Sequence, residues 1–183
     1  AVITLTALGE AARRYVTAEF QSLGTHLVIV LPGRSETTGG GPAMIAGATP
    51  RDLTLADARA LQRNASVARV APVVVGEASA QAAGLERNVT VMGTTADFRV
   101  IRGWRMAAGE FLPDVDLDRE VPVCVVGALV GRELFQGTSP VGQWLRVGDR
   151  RCRVTGVLAP QGTSVMVDAD QLVLMPVALA QAL

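Results

Sequence analysis

Leu5, Leu8, Ala12, Val16, Phe20 and Leu23 recur at steps of three and four, with Glu10, Arg13, Arg14 and Glu19 between them. That spacing predicts an amphipathic helix over 6–23, and Gly24 suits its end. The pattern then changes. Residues 26–31 (HLVIVL) are apolar on both faces, as in a buried strand. Residues 32–50 are rich in Gly, Pro, Ser and Thr and lack any period. A stretch of that length is expected to be a functional or mobile loop. Thr54 with Asp57 three residues later forms a capping-box pattern ahead of a helix over 55–63. Ala58 and Leu61 are expected to face inward and Asn64 to end the helix. Strands are expected near 67–76 and 87–94, split by the small-residue segment 77–85 (EASAQAAGL), with a short helix or turn at 97–102.

The second half has the clearer signals. Residues 121–126 (VPVCVV) read as a buried strand with Pro122 near its start. A short helix follows at 128–135, with Gly137 after it. Residues 143–147 and 150–157 flank Gly148-Asp149, a two-residue hairpin signal of the II′ type. Pairing outward from that turn sets Val147 opposite Arg150, Arg146 opposite Arg151 and Leu145 opposite Cys152. One face then carries Leu145, Val147, Cys152 and Val154, and the other Trp144, Arg146, Arg151 and Arg153. A last strand over 171–175 leads into a helix with Pro176 at its first position.

Composition narrows the functions open to such a chain. Apolar residues make up 49% of it, and 17 acidic residues balance 17 basic ones, so neither disorder nor nucleic-acid binding is favoured. Every basic residue is Arg. The absence of Lys excludes a P-loop lysine, a Schiff-base lysine and a Ser–Lys dyad within this chain. His26 is the sole histidine, which leaves triads and multi-histidine metal sites at most one candidate. No apolar run approaches the ~18–20 residues of a membrane span. Residues 1–9 lack a basic n-region, and they and the apolar C-terminus read as ends cut from something longer.

The candidate chemistry is sparse. Asp114, Asp116 and Asp118 start a calcium-loop spacing, but Arg119 stands where the sharp turn needs Gly and Val125 where Glu should close it. A solvated acidic loop is the expectation. Ser35, Ser66, Ser139 and Ser164 sit in no nucleophile elbow. Gly39-Gly40-Gly41 lacks the spacing of a phosphate loop. The triplets starting at Asn64 and Asn88 match a glycosylation sequon by composition alone. No catalytic residue, cofactor site or metal site is expected. The surface with a candidate role is a basic one for an anion or acidic partner. It comprises Trp104, Arg146, Arg151 and Arg153, with Trp144 over Arg153 as a cation–π pair. Cys124 and Cys152 are expected as buried thiols.

With these residues in view, the chain resembles the periplasmic core domain of MacB-type ABC transporter permeases. Residues 7–33 (ALGEAARRYVTAEFQSLGTHLVIVLPG) are similar to the segment in which that family's first membrane helix leaves the bilayer, through Leu8, Gly9, Ala11, Val16, Phe20, Leu23 and Gly24. Ala11 replaces the usual second Gly, and His26 stands where Asn is common. Residues 53–74 (LTLADARAL to VARVAPVV) resemble the following helix and strand. Residues 89–98 (VTVMGTTADF) resemble V-x-G-T-x-x-x-F. Residues 104–112 (WRMAAGEFL) resemble A-x-G-R-x-F, with Glu110 in place of Arg. Residues 123–158 and 172–183 follow the family's pattern of Gly and apolar positions in order.

The resemblance implies an α+β fold of two lobes. A porter-like α/β sandwich is formed by both chain ends (1–105 plus 161–183), and a mixed α/β, sabre-like lobe is inserted at 106–160. Leu5, Leu8, Gly9 and Ala12 would belong to a stalk continuing a membrane helix, with both termini leaving the same end. It further implies an extracytoplasmic domain, on the periplasmic side of the bacterial inner membrane, of an integral ABC transporter permease. Such a domain transmits ATP-driven motion to a periplasmic adaptor or an exported substrate. Its partners would be the transporter's membrane helices and ATPase domain, a second permease copy and an adaptor. The alternatives are a secreted or periplasmic ligand-binding module or, less in keeping with a single His, a hydrolase.

Overall fold

The computed structural model describes residues 27–32, 52–160 and 168–183. The expected helix at 6–23, the stalk residues Leu5, Leu8, Gly9 and Ala12, His26 and the glycine-rich loop beyond residue 32 lie outside them. By compactness the chain divides into two units, 1–57 and 58–183. In the first, the described residues at 27–32 form no strand, and Val28 is 82% exposed. This corrects the expected strand at 26–31. An apolar run becomes a strand only where its N–H and C=O groups meet a partner, and among the described residues none is paired with it. The capping box forms as expected: the Asp57 N–H donates to Thr54 Oγ1 at 3.3 Å, and Asp57 Oδ2 accepts from the Thr54 N–H at 2.9 Å. It opens helix α1 (Leu55–Gln62). Ala58 is buried, but Leu61 faces solvent, against expectation. Among the described residues Ala58 is the buried position of the helix, and Leu61 is left 42% exposed.

In the second unit, seven strands among the described residues form one sheet: β1 (Val74–Ala82), β2 (Leu85–Thr94), β3 (Met106–Gly109), β4 (Val123–Val126), β5 (Trp144–Val147), β6 (Arg150–Leu158) and β7 (Leu172–Pro176). β1 begins later than the sequence suggests and includes most of the small-residue segment. Ala80 and Ala82 are buried there, so tertiary packing outweighs their weak strand propensity. The β1–β2 turn at Ala83-Gly84 has positive φ at both residues, 49° and 80°, the conformation of a I′ hairpin. β5 pairs with both β6 and β1, so the order β1-β2-β7-β4-β6-β5 closes on itself. β3 takes the remaining length of β6, at Gly156–Leu158. The sheet is therefore a small, twisted barrel of mixed strands.

Closure sorts the apolar residues into two sets. The inner face brings together Ala80, Val91, Cys124, Val147, Val154 and Met175 from the six ring strands. Helix α3 (Ala128–Phe135) adds Val130, Leu134 and Phe135, and α4 (Val177–Gln181) adds Leu179. On the outer face Met92, Val125, Leu172 and Leu174 are covered by Phe98, on helix α2 (Asp97–Arg102), with Trp104 and Leu112. β7 is buried on both faces, which explains its unbroken run of apolar residues. The register of β4 against β6 slips between Cys124 and Val125. After the slip Val157 packs toward the inner set and Leu158 belongs to the outer one, as a bulge dictates.

Cys124 and Cys152 form a disulfide across the inner face, with Cα atoms 5.7 Å apart. This corrects the expectation of two thiols. Both cysteines lie in buried strands, and the parallel pairing of β4 with β6, which the sequence does not reveal, brings them into bonding reach.

Candidate functional site

The basic face is built by the β5–β6 hairpin, whose register is the expected one: Val147 opposite Arg150, Arg146 opposite Arg151, Leu145 opposite Cys152. Gly148 turns the chain at φ 54° and its N–H donates to the Ser79 carbonyl at 2.8 Å, tying the turn to β1. Burying Leu145, Val147, Cys152 and Val154 inside the barrel forces Trp144, Arg146, Arg151 and Arg153 outward.

Each exposed arginine is held differently. Arg146 Nε donates to the Gly148 carbonyl at 3.1 Å, and its guanidinium lies 3.9 Å from Asp149. The Arg151 guanidinium sits 5.9 Å from the centroid of the Trp144 ring. The expected cation–π partner was Arg153, which lies directly opposite Trp144. Arg153 instead turns its Nε to the Gly142 carbonyl at 3.2 Å, leaving the ring face to its diagonal neighbour. Among the described residues, no carboxylate pairs with Arg151 or Arg153. These guanidiniums keep donors free for an incoming anion.

Trp104 does not belong to this face. It is only 8% exposed and meets the Phe98 ring edge-on, centroids 5.2 Å apart, in the outer core. The exposed indole is that of Trp144, at 54%. Trp104 follows α2 directly and is drawn into the cover over β2 and β7, which its sequence neighbours do not reveal.

The sequence reading missed a second group beside the arginines. Because Gln81 pairs with Arg146, the β1–β2 turn lies next to Trp144, Arg146 and Arg151. Together they line an open groove of about 460 Å³ that also includes Gly84 and Glu86. The Glu86 carboxylate accepts from the Ser79 hydroxyl. That bond, with a smaller contribution from Gln81, holds its pKa below the ordinary carboxylate value. Alternation within 77–86 could have placed these residues on one face, but only β1–β5 pairing sets them against the arginines.

Elsewhere, Asp118 of the acidic loop is ion-paired with Arg59. Among the described residues, no three His, Cys, Asp or Glu side chains converge as a metal site. No described helix is long and apolar enough to cross a membrane.

All 183 residues match the family described as the MacB-like periplasmic core domain. The macrolide export ATP-binding/permease protein MacB of Rhodospirillum rubrum is 34% identical over 183 residues, covering 98% of this chain and 27% of that protein. The pyoverdine export ATP-binding/permease protein PvdT of Pseudomonas aeruginosa is 29% identical over 180 residues, covering 98% and 26%. The chain thus spans about a quarter of the length of the curated relatives it matches. Among solved structures, the periplasmic region of MacB from Actinobacillus actinomycetemcomitans aligns with a TM-score of 0.66 at 17% identity, over 77% of this chain and 63% of that one. The extracellular domain of the noncanonic ABC-type transporter YknZ from Gram-positive bacteria aligns at 0.60 and 18% identity, over 71% and 65%. The mixed α/β fold with its closed sheet is the one these domains have.

Proposed function

Because the chain belongs to the family of MacB-like periplasmic core domains, we propose that it works as the extracytoplasmic domain of a bacterial ABC transporter permease subunit. In this reading it carries motion driven by a cytoplasmic ATPase to a periplasmic adaptor or an exported substrate, and performs no chemistry itself. The match over the whole chain carries the reading. The Cys124–Cys152 disulfide is in keeping with an oxidising compartment. A closed barrel cross-linked through its core suits a part that must move as a rigid body. Membrane helices, the ATPase domain and a second permease copy are the remaining partners of this proposal. The two-lobe division, 1–105 plus 161–183 with 106–160 inserted, belongs to it as well. Both segments contribute strands to one sheet, so the lobes would share it.

Within this proposal the outward face of Arg146, Arg151 and Arg153, with Trp144, is the coupling surface for an acidic partner. Two tests apply. The full-length coding sequence should carry apolar helices of ~20 residues on both sides of the domain; their absence overturns the reading. In the full-length protein, Arg151→Glu combined with Arg153→Glu should lower export while ATP hydrolysis persists. Export equal to that of the parent would remove the coupling role from this face.

A further inference from the structure

Among the described residues, the barrel is left unsealed along part of β1. β5 accompanies β1 only at Ala80 and Gln81, and the Gly148 N–H then closes onto the Ser79 carbonyl. Toward its N-terminus β1 continues for five residues, 74–78, paired with β2 on one side alone. Backbone groups alternate along a strand. Ser79 aims its carbonyl away from β2, so Glu77 and Val75 aim theirs, and their N–H groups, the same way. Among the described residues no strand meets them. This bare edge is ~17 Å long at ~3.4 Å per residue. It carries no Pro or bulge of the kind that usually blunts an exposed edge.

The space beside it is already shaped. An open groove of about 590 Å³ runs along Val74–Ser79 and is walled by Ala180 and Gln181 of α4, by Leu183 beyond it and by the Gly148-Asp149 turn. Val75 is 47% exposed and Leu183 45%, so apolar surface flanks the unpaired backbone. The charge at the rim is negative. Glu77 is exposed and pairs with no cation among the described residues, and the Asp149 carboxylate is open to solvent beyond its 3.9 Å contact with Arg146.

We propose that this edge and groove form a strand-docking site for an extended segment of a partner protein, one with alternating apolar side chains and a basic residue facing Glu77. Main-chain hydrogen bonds to Val75 and Glu77 would supply affinity, and the acidic rim would select the charge. The inference rests on the sheet edge and does not depend on the transporter reading.

The test uses the ¹⁵N-labelled 183-residue chain and, as probe, the blocked synthetic peptide Val-Thr-Val-Arg-Val-Thr, whose Val side chains share one face and whose Arg lies on the other. Saturable shifts centred on the Val75 and Glu77 amides are expected, with slower hydrogen exchange there. Val75→Pro removes an edge N–H that β2 does not use, and should abolish binding while leaving the hairpin folded. Glu77→Arg should weaken binding roughly tenfold, and serves if the proline variant does not fold. Four results would overturn the proposal. They are no saturable binding, equal affinity for Val75→Pro, Val75 and Glu77 amides already protected in the free monomer, and protection that appears only with self-association of the chain.

Discussion

At the scale of single residues, the motif positions that link this chain to its family mark close approaches in the core. A Cβ on Gly93 would stand 2.4 Å from the Ala180 Cβ, where α4 packs on β2. Thr94 next to it is buried and donates its hydroxyl to the Pro72 carbonyl at 3.0 Å. One on Gly127 would meet the Asp170 carbonyl at 2.4 Å. Gly93→Ala is therefore expected to destabilise the fold by about 1–3 kcal/mol, measured as a lower urea midpoint at unchanged m-value. An unchanged midpoint would mean that α4 swings away freely. A second residue-scale prediction concerns Glu86. Its lowered pKa means the folded state favours the carboxylate. The associated stability is present above the unfolded-state pKa and is lost as pH falls through the folded one. Ser79→Ala removes the first cause and should move the Glu86 titration, followed by ¹³C-carboxyl NMR, upward toward the ordinary value. A downward or absent shift would show that the Ser79 hydroxyl does not act on it. The motif glycines were legible as residues but not as contacts, because what approaches each of them comes from a distant part of the chain.

At the scale of elements, local signals succeeded where both partners lie close in sequence. The β5–β6 hairpin has its expected register and faces because a two-residue turn leaves one pairing that buries Leu145 with Cys152. Helices α2 and α3 also fall where their patterns put them. Reading failed for β1, whose strand identity depends on β2 and β5, and for 27–31, whose apolar pattern finds no partner among the described residues. The disulfide joins elements in the same way. Its sequence separation of 28 closes a loop worth roughly 3–4 kcal/mol in the chain-entropy treatment. Cys124→Ala with Cys152→Ala should lower unfolding free energy by an amount of that order, and reductant should destabilise the parent but not the variant. Equal sensitivity to reductant would contradict a bond between these two sulfurs.

At the scale of the whole molecule, the absence of Lys and of a phosphate loop predicts that the 183-residue chain neither binds nor hydrolyses ATP. Titration calorimetry with Mg²⁺ and ATP should give no saturable heat, and a measurable Kd would overturn the assignment of ATP chemistry to another domain. The amino-acid sequence by itself determined the class of molecule: neutral, lysine-free, without a catalytic constellation, and ordered along its length like a family of periplasmic core domains. It also determined the Arg146, Arg151 and Arg153 face, since strand alternation needs only the hairpin. Tertiary structure alone decided that the sheet closes, that Trp104 is buried away from the arginines, that Cys124 bonds to Cys152, and that β1 keeps an edge unpaired among the described residues. Each of these depends on which strand lies beside which. Pairing across long separations is set by packing over the whole chain, whereas hydrophobic periodicity records only which side of an element is buried.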